Sequence, residues 1–87
     1  MEHHLIVSGK VQGVGFRANV LKLAQKEKLK GYVRNLPNGD VEICIQGDKK
    51  ACESMRNSIK KSSFKIDSIE INSKGGSENY FSFEIRD

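Results

Sequence analysis

Residues 7–17, VSGKVQGVGFR, decide how the rest of the chain is read. They hold three of the eight glycines, Gly9, Gly13 and Gly15, and end on Arg17. Before them lies a short apolar run, His4-Leu-Ile-Val7, with β-compatible bulk, and after them a helical pattern opens near Phe16. A strand, a glycine-rich loop and a helix start with an arginine in its first turn describe a place to hold an anion. Backbone N–H groups in such a loop converge on one oxygen-rich group, and the helix N-terminus adds partial positive charge. A cation in that turn opposes the helix dipole and so needs a reason to be there.

Working outward, His4 to Ser8 reads as a buried strand and Gly9 to Gly15 as a loop. From Phe16 to about Lys28, Phe16, Val20, Leu23, Ala24 and Glu27 recur at helical spacing with Leu21 beside them, and Lys22, Gln25, Lys26 and Lys28 lie opposite. Gly31 stops this helix or opens the next strand. Gly31 to Leu36 is a strand, Pro37-Asn-Gly39 a tight reversal, and Asp40 to Gln46 its hairpin partner. In that partner Val41, Ile43 and Ile45 alternate with the semi-polar set Glu42, Cys44 and Gln46.

Asp48 is a good N-cap for a second helix to about Lys61, with a thin apolar face of Ala51, Cys52, Met55 and Ile59. Phe64 to Asn72 reads as a strand in which Phe64 and Ile66 are out of phase with Ile69 and Ile71, so a bulge is expected near Asp67-Ser68. Ser73 to Asn79 reads as a loop, and Tyr80 to Arg86 as a last strand with Phe81, Phe83 and Ile85 facing inward. The fold class is therefore α+β: β-α-β-β-α-β plus a C-terminal strand. Its economical packing is a ferredoxin-like (split βαβ) two-layer sandwich, with two helices on one face of a mostly antiparallel sheet.

Eighty-seven residues make a single domain, 1–87, and 37% hydrophobic with 30% charged residues suits a globular chain. No apolar run approaches the roughly 20 residues that span a bilayer. Met1-Glu-His-His lacks the features of a signal peptide, so no membrane association and a cytoplasmic location are expected. Cys44 and Cys52 form neither a disulfide framework nor a zinc spacing and read as free thiols. The net charge of +4 suits anionic ligands and ordinary solubility alike.

Much chemistry is missing. No HExxH, no clustered His/Cys/Asp set and no serine beside a base occurs, so no metal site is expected. His3 and His4 fall at the frayed end of the first strand and read as surface or edge residues. The loop lacks the GxxxxGK[ST] of a nucleotide P-loop and the length of a dinucleotide fingerprint. What remains is the cradle ending on Arg17 and, one strand away, Asn35. In a split βαβ unit the first two strands run the same way, which brings the loop and Asn35 to one edge of the sheet. Arginine's planar fork suits a phosphoryl group, and asparagine is suited to orienting a water. Other readings of the same residues stand beside these. Gly13 and Gly15 serve a tight turn, Gln12 is solvated or a loop hydrogen-bonder, Asn35 leads into the Pro37 turn, and Arg34 is a surface strand residue on the opposite face.

Two separated motifs resemble those of the acylphosphatases. Gly9-Lys-Val-Gln-Gly-Val-Gly-Phe-Arg17 resembles the family's G-x-V-Q-G-V-x-F-R, and Gly31-Tyr-Val-Arg-Asn-Leu-Pro-Asn-Gly-Asp-Val-Glu42 its second signature; Phe83 to Arg86 matches the closing F-x-I-R. The resemblance implies hydrolysis of the carboxyl–phosphate bond of small-molecule acyl phosphates, with no metal or organic cofactor. It implies that Arg17 and the backbone N–H groups of Gln12, Gly13, Val14, Gly15, Phe16 and Arg17 bind the phosphate, and that Asn35 orients the attacking water. Inorganic phosphate would be both product and competitive inhibitor, and the protein a monomer. Three positions depart from the family pattern: Ala18-Asn19, where many members carry an aromatic residue, Ser62-Ser63 in place of Gly-Pro, and Asp87 in place of a terminal aromatic.

Two other classes compete. RNA-recognition domains share this element order, but they stack bases on aromatics of their central strands, and Leu5-Ile6-Val7 and Val41 to Ile45 hold none, so nucleic acid is not an expected partner. A non-catalytic phosphate-binding or partner-binding module on the same fold is the remaining alternative.

Overall fold

The computed structural model describes residues 2–74 and 79–86. Its elements are β1 (Glu2–Lys10), α1 (Phe16–Lys26), β2 (Lys30–Asn35), β3 (Val41–Gln46), α2 (Lys49–Lys60), β4 (Lys65–Lys74) and β5 (Phe83–Arg86). They form one five-stranded sheet in the order β4-β1-β3-β2-β5. β3 lies antiparallel to both β1 and β2, β1 lies antiparallel to β4, and only β5 pairs in parallel, with β2. β1 and β2 thus run the same way with β3 between them, as do β3 and β4 around β1. These are two interlocked split βαβ units, the ferredoxin-like fold with one added edge strand.

Strand alternation sorts the sheet into two faces. Leu5, Val7, Val33, Val41, Ile43 and Ile45 are buried in one cluster with Phe16, Val20 and Ala24 of α1 and Cys52, Met55 and Ile59 of α2. Both helices therefore cover the same face. Asp48 caps α2 as its sequence suggests, its carboxylate accepting from the Ala51 N–H at 3.1 Å. The phase change in β4 is resolved by a register shift. Ser8 pairs with Ser68 but Gly9 pairs with Ile66, which leaves Asp67 as the extra residue. Phe64, Ile66, Ile69 and Ile71 all pack against the core as a result.

Several boundaries differ from expectation for local reasons. α1 stops at Lys26, because Lys28 adopts a left-handed conformation at φ 57°. The Leu29 and Lys28 N–H groups return to the Ala24 and Gln25 carbonyls, a Schellman ending that buries Leu29, so Gly31 belongs to β2 and does not end the helix. The histidines are not frayed surface residues. β1 begins at Glu2 and is paired on both edges, so His3 is buried (4% exposed) and His4 bonds Glu42 across the strands at 2.6 Å. β4 extends to Lys74 and so takes in the start of the expected Ser73–Asn79 loop, of which residues 75–78 lie outside the described residues, as does Asp87. β5 begins only at Phe83. Of the three side chains expected inward, Phe83 is buried, but Phe81, which precedes the strand, is 95% exposed, and Ile85, on this edge strand, is 41% exposed.

Candidate active site

The residues after β1 build the site. Beyond Val7 the strand leaves β3 and continues against β4 alone, so the chain is free to turn toward the helix layer. Gly15 caps α1 in the left-handed region (φ 81°, ψ 11°), and Gly13 is left-handed too, at φ 72°. A Cβ at either would meet nothing within 4 Å, so backbone conformation and not crowding calls for glycine, and the space over the loop is open. α1 has no side-chain N-cap bond and no acidic residue in its first turn. Its N-terminal N–H groups are left uncompensated, which favours an incoming anion.

A cleft of about 200 Å³ lies against this turn, lined by Val11, Gly13, Gly15, Phe16, Arg17, Ala18 and Ile85. Arg17 is half-buried, and its Nη1 donates to the Arg86 carbonyl of β5 at 3.3 Å. β5 in turn is pinned from the opposite face of the sheet, where the Arg86 guanidinium sits 4.3 Å from the Tyr32 ring centroid and bonds Glu84 at 3.2 Å. Alternation in the sequence sets Arg86 on the face opposite Phe83 and Ile85, but the pairing of β5 with β2 that brings it over Tyr32 is a fact of topology.

The Gln12 side chain is a loop hydrogen-bonder, one of the two readings its sequence allowed. Its side-chain nitrogen donates to the Leu36 and Asp40 carbonyls, both at 2.8 Å, and so ties the loop to the mouth of the β2–β3 hairpin. Asn35 directly precedes Leu36. It pairs with Val41, which pairs with Val7, so Asn35 lies on the helix-side face two strands from the base of the loop. It does not line the cleft, and its Oδ1 is buried without a hydrogen-bond partner among the described residues. An orphan acceptor of this kind is satisfied by an ordered water. Phe16 is among the residues that line the cleft, and its ring is buried edge-on against Phe64, with the ring centroids 5.1 Å apart. Val14 turns away from the cleft and is 43% exposed.

Away from the loop, Glu42 accepts from His4 and from Arg34. Burial alone would raise its carboxyl, but these bonds and the Arg34 charge hold it below the ordinary 4.5. Arg34 is exposed, as read, and has this strand partner. Burial pushes the Cys44 thiol up to about 11, and Cys52 is raised for the same reason, so neither thiol is an activated nucleophile. Among the described residues no group of three or more His, Cys, Asp or Glu side chains is placed to hold a metal ion, and no helix is long and apolar enough to cross a membrane.

The family model described as Acylphosphatase matches residues 3–85. The chain belongs to the acylphosphatase family. An acylphosphatase of Chlorobaculum tepidum is 43% identical over 75 residues, which cover 78% of this chain and 82% of that one. The crystal structure of acylphosphatase from Bacillus subtilis superposes with a TM-score of 0.92 at 37% identity, covering 98% of this chain and 97% of the other. A much longer relative, the probable carbamoyltransferase HypF of Methanocaldococcus jannaschii, is 40% identical over 88 residues, 98% of this chain but 11% of its own length. Membership of the acylphosphatases places the chain among the hydrolases.

Proposed function

We propose that this single-domain protein hydrolyses small-molecule acyl phosphates to a carboxylate and inorganic phosphate, working as a cytoplasmic monomer. The observation that carries the reading is the cleft in which Gly13, Gly15 and Arg17 meet at the uncapped start of α1. The phosphoryl group rests on the backbone N–H groups of residues 12–17, and the guanidinium of Arg17 takes two of its oxygens. Asn35, whose Oδ1 has no partner among the described residues, accepts from the attacking water and aims it at phosphorus.

The water oxygen bonds to phosphorus as the bond from phosphorus to the acyl oxygen breaks. The carboxylate leaves with the electron pair, and the water's proton ends on the phosphate. A carboxylate, whose acid has a pKa of roughly 4, leaves without protonation, so no general acid is called for. Catalysis is then positioning and charge stabilisation. The two buried free thiols fit a reducing compartment.

The test is a spectrophotometric assay with an aromatic acyl phosphate, run with a chelator present. Preorganised donors are worth about 10²–10³ each in rate. Arg17→Ala should abolish turnover and weaken inhibition by phosphate, whereas Asn35→Ala should remove turnover and leave that inhibition in place. Hydrolysis by Arg17→Ala at the wild-type rate would sink the reading. A folded protein that binds phosphate but turns nothing over would instead be a phosphate-binding module.

A further inference from the structure

The loop between the two glycines separates two recesses, and only one of them has a role so far. On the far side of Val14 from the cleft lies an open groove of about 370 Å³, lined by Lys10, Val14, Ser63, Phe64 and Lys65. Lys10 and Lys65 are direct cross-strand partners of β1 and β4. Like charges placed opposite one another on a sheet are unfavourable unless something offsets them. Neither lysine has a carboxylate within ion-pair distance among the described residues. Exposed Val14 and partly buried Phe64 give the same groove an apolar lining beside the two lysines. The other flank of the cradle is different: Val11, Ala18 and Ile85 offer no cation besides Arg17.

We propose that this groove receives the acyl part of the substrate and selects acyl groups that carry a second anionic group, a carboxylate or phosphate, at their far end. The inference rests on the phosphoryl group occupying the Gly13–Arg17 cradle. From there the methylene carbons cross Val14 and Phe64, where they lose apolar surface to water, and the terminal anion lies between Lys10 and Lys65. Bound there, it relieves the repulsion of the two lysines. Both lysines are exposed, so the attraction is screened and salt-dependent.

Adipoyl monophosphate and hexanoyl phosphate test this, since they have the same six-carbon chain with and without a terminal carboxylate. The ratio of their kcat/KM values is measured for the wild type and for the double variant K10Q/K65Q, so that intrinsic reactivity cancels. At low ionic strength the ratio should fall about three- to tenfold in the variant, and added salt should shrink the difference. Hexanoyl phosphate alone should be turned over equally by both proteins. An unchanged ratio overturns the proposal.

A binding arm separates this failure from failure of the hydrolytic reading. Calorimetric titration with 5-phosphonopentanoate and pentylphosphonate needs no turnover. Tighter binding of the first, lost in K10Q/K65Q, supports the groove even if neither acyl phosphate is cleaved. Equal binding of the two, or binding of neither, overturns it.

Discussion

The Gln12 side-chain amide donates to the Leu36 carbonyl at 2.8 Å, and through that bond the anion loop and the strand that carries Asn35 are held as one unit. The same nitrogen reaches the Asp40 carbonyl, the acceptor that also closes the hairpin through the Leu36 N–H. Removing a donor from partly buried carbonyls costs about 1–3 kcal/mol. Gln12→Ala should therefore lower Tm by several degrees. It should also reduce kcat at least tenfold, because Asn35 and the loop are no longer in register, while phosphate inhibition changes only a few-fold. Steady-state kinetics with phosphate as inhibitor, beside thermal melts, separate these effects. Equal losses in kcat and phosphate affinity would place Gln12 on the ligand and not on the hairpin.

Gly15 gives a complementary test on the loop itself. Its φ of 81° lies where a Cβ costs roughly 1–2 kcal/mol, yet the added methyl would meet no atom within 4 Å. Gly15→Ala should fold, with stability reduced by about that amount and nothing more. If the cradle works through its backbone N–H groups, relaxation of Gly15 toward negative φ turns them aside. The inhibition constant for phosphate should then rise more than tenfold, read directly from competition assays.

Most of the fold was legible from period and punctuation. The hairpin around Pro37-Asn-Gly39, the Asp48 cap and the bulge at Asp67 all follow from local chemistry that the tertiary structure leaves in place. The end of α1 was not legible, because a lysine took the left-handed position that a glycine usually fills. The burial of His3 was hidden too, since it depends on β1 being an interior strand, a fact of topology and not of the segment. At the candidate site the loop, Arg17 and Asn35 could be named from residue type and spacing. The two long-range ties could not. Gln12 to the hairpin and Arg17 to β5 join residues 24 and 69 positions apart, and no local pattern encodes them.

Two groups make stability depend on pH in different windows. Burial, with the Arg56 charge beside it, holds His3 below its ordinary 6.5, so the unfolded chain takes up a proton that the folded chain refuses. Stability is lost as pH falls below 6.5 toward the lowered folded value. Glu42 is held below 4.5 in the fold, so its contribution is present above that pH and is lost as pH falls through the folded value. Urea melts from neutral to acid pH should thus show two successive declines in unfolding free energy. His3→Leu should flatten the first and leave the second. Glu42→Gln should flatten the second and lower stability at neutral pH, because His4 and Arg34 lose their charged partner.

Arg17 hangs on the shortest strand of the sheet. Its Nη1 bond ends on the Arg86 carbonyl, and the position of that carbonyl depends on four residues of β5 hydrogen-bonded on one side only. Arg86 compensates with its side chain, whose guanidinium lies 4.3 Å over the Tyr32 ring. A cation–π contact at an exposed site is worth about 0.5–1 kcal/mol, enough to bias fraying of a strand end but not the global fold. Arg86→Ala keeps the carbonyl yet frees the strand end, so kcat/KM should fall about two- to fivefold with Tm nearly unchanged. Tyr32→Leu should reproduce the loss, Tyr32→Phe should restore the wild-type value, and Arg86→Lys should lie between. Amide hydrogen exchange at Ile85 and Arg86, faster in the two disruptive variants and normal in Tyr32→Phe, would tie the kinetic effect to the strand end. A Tyr32→Phe enzyme as impaired as Tyr32→Leu would show that the hydroxyl, and not the ring face, is what β5 depends on.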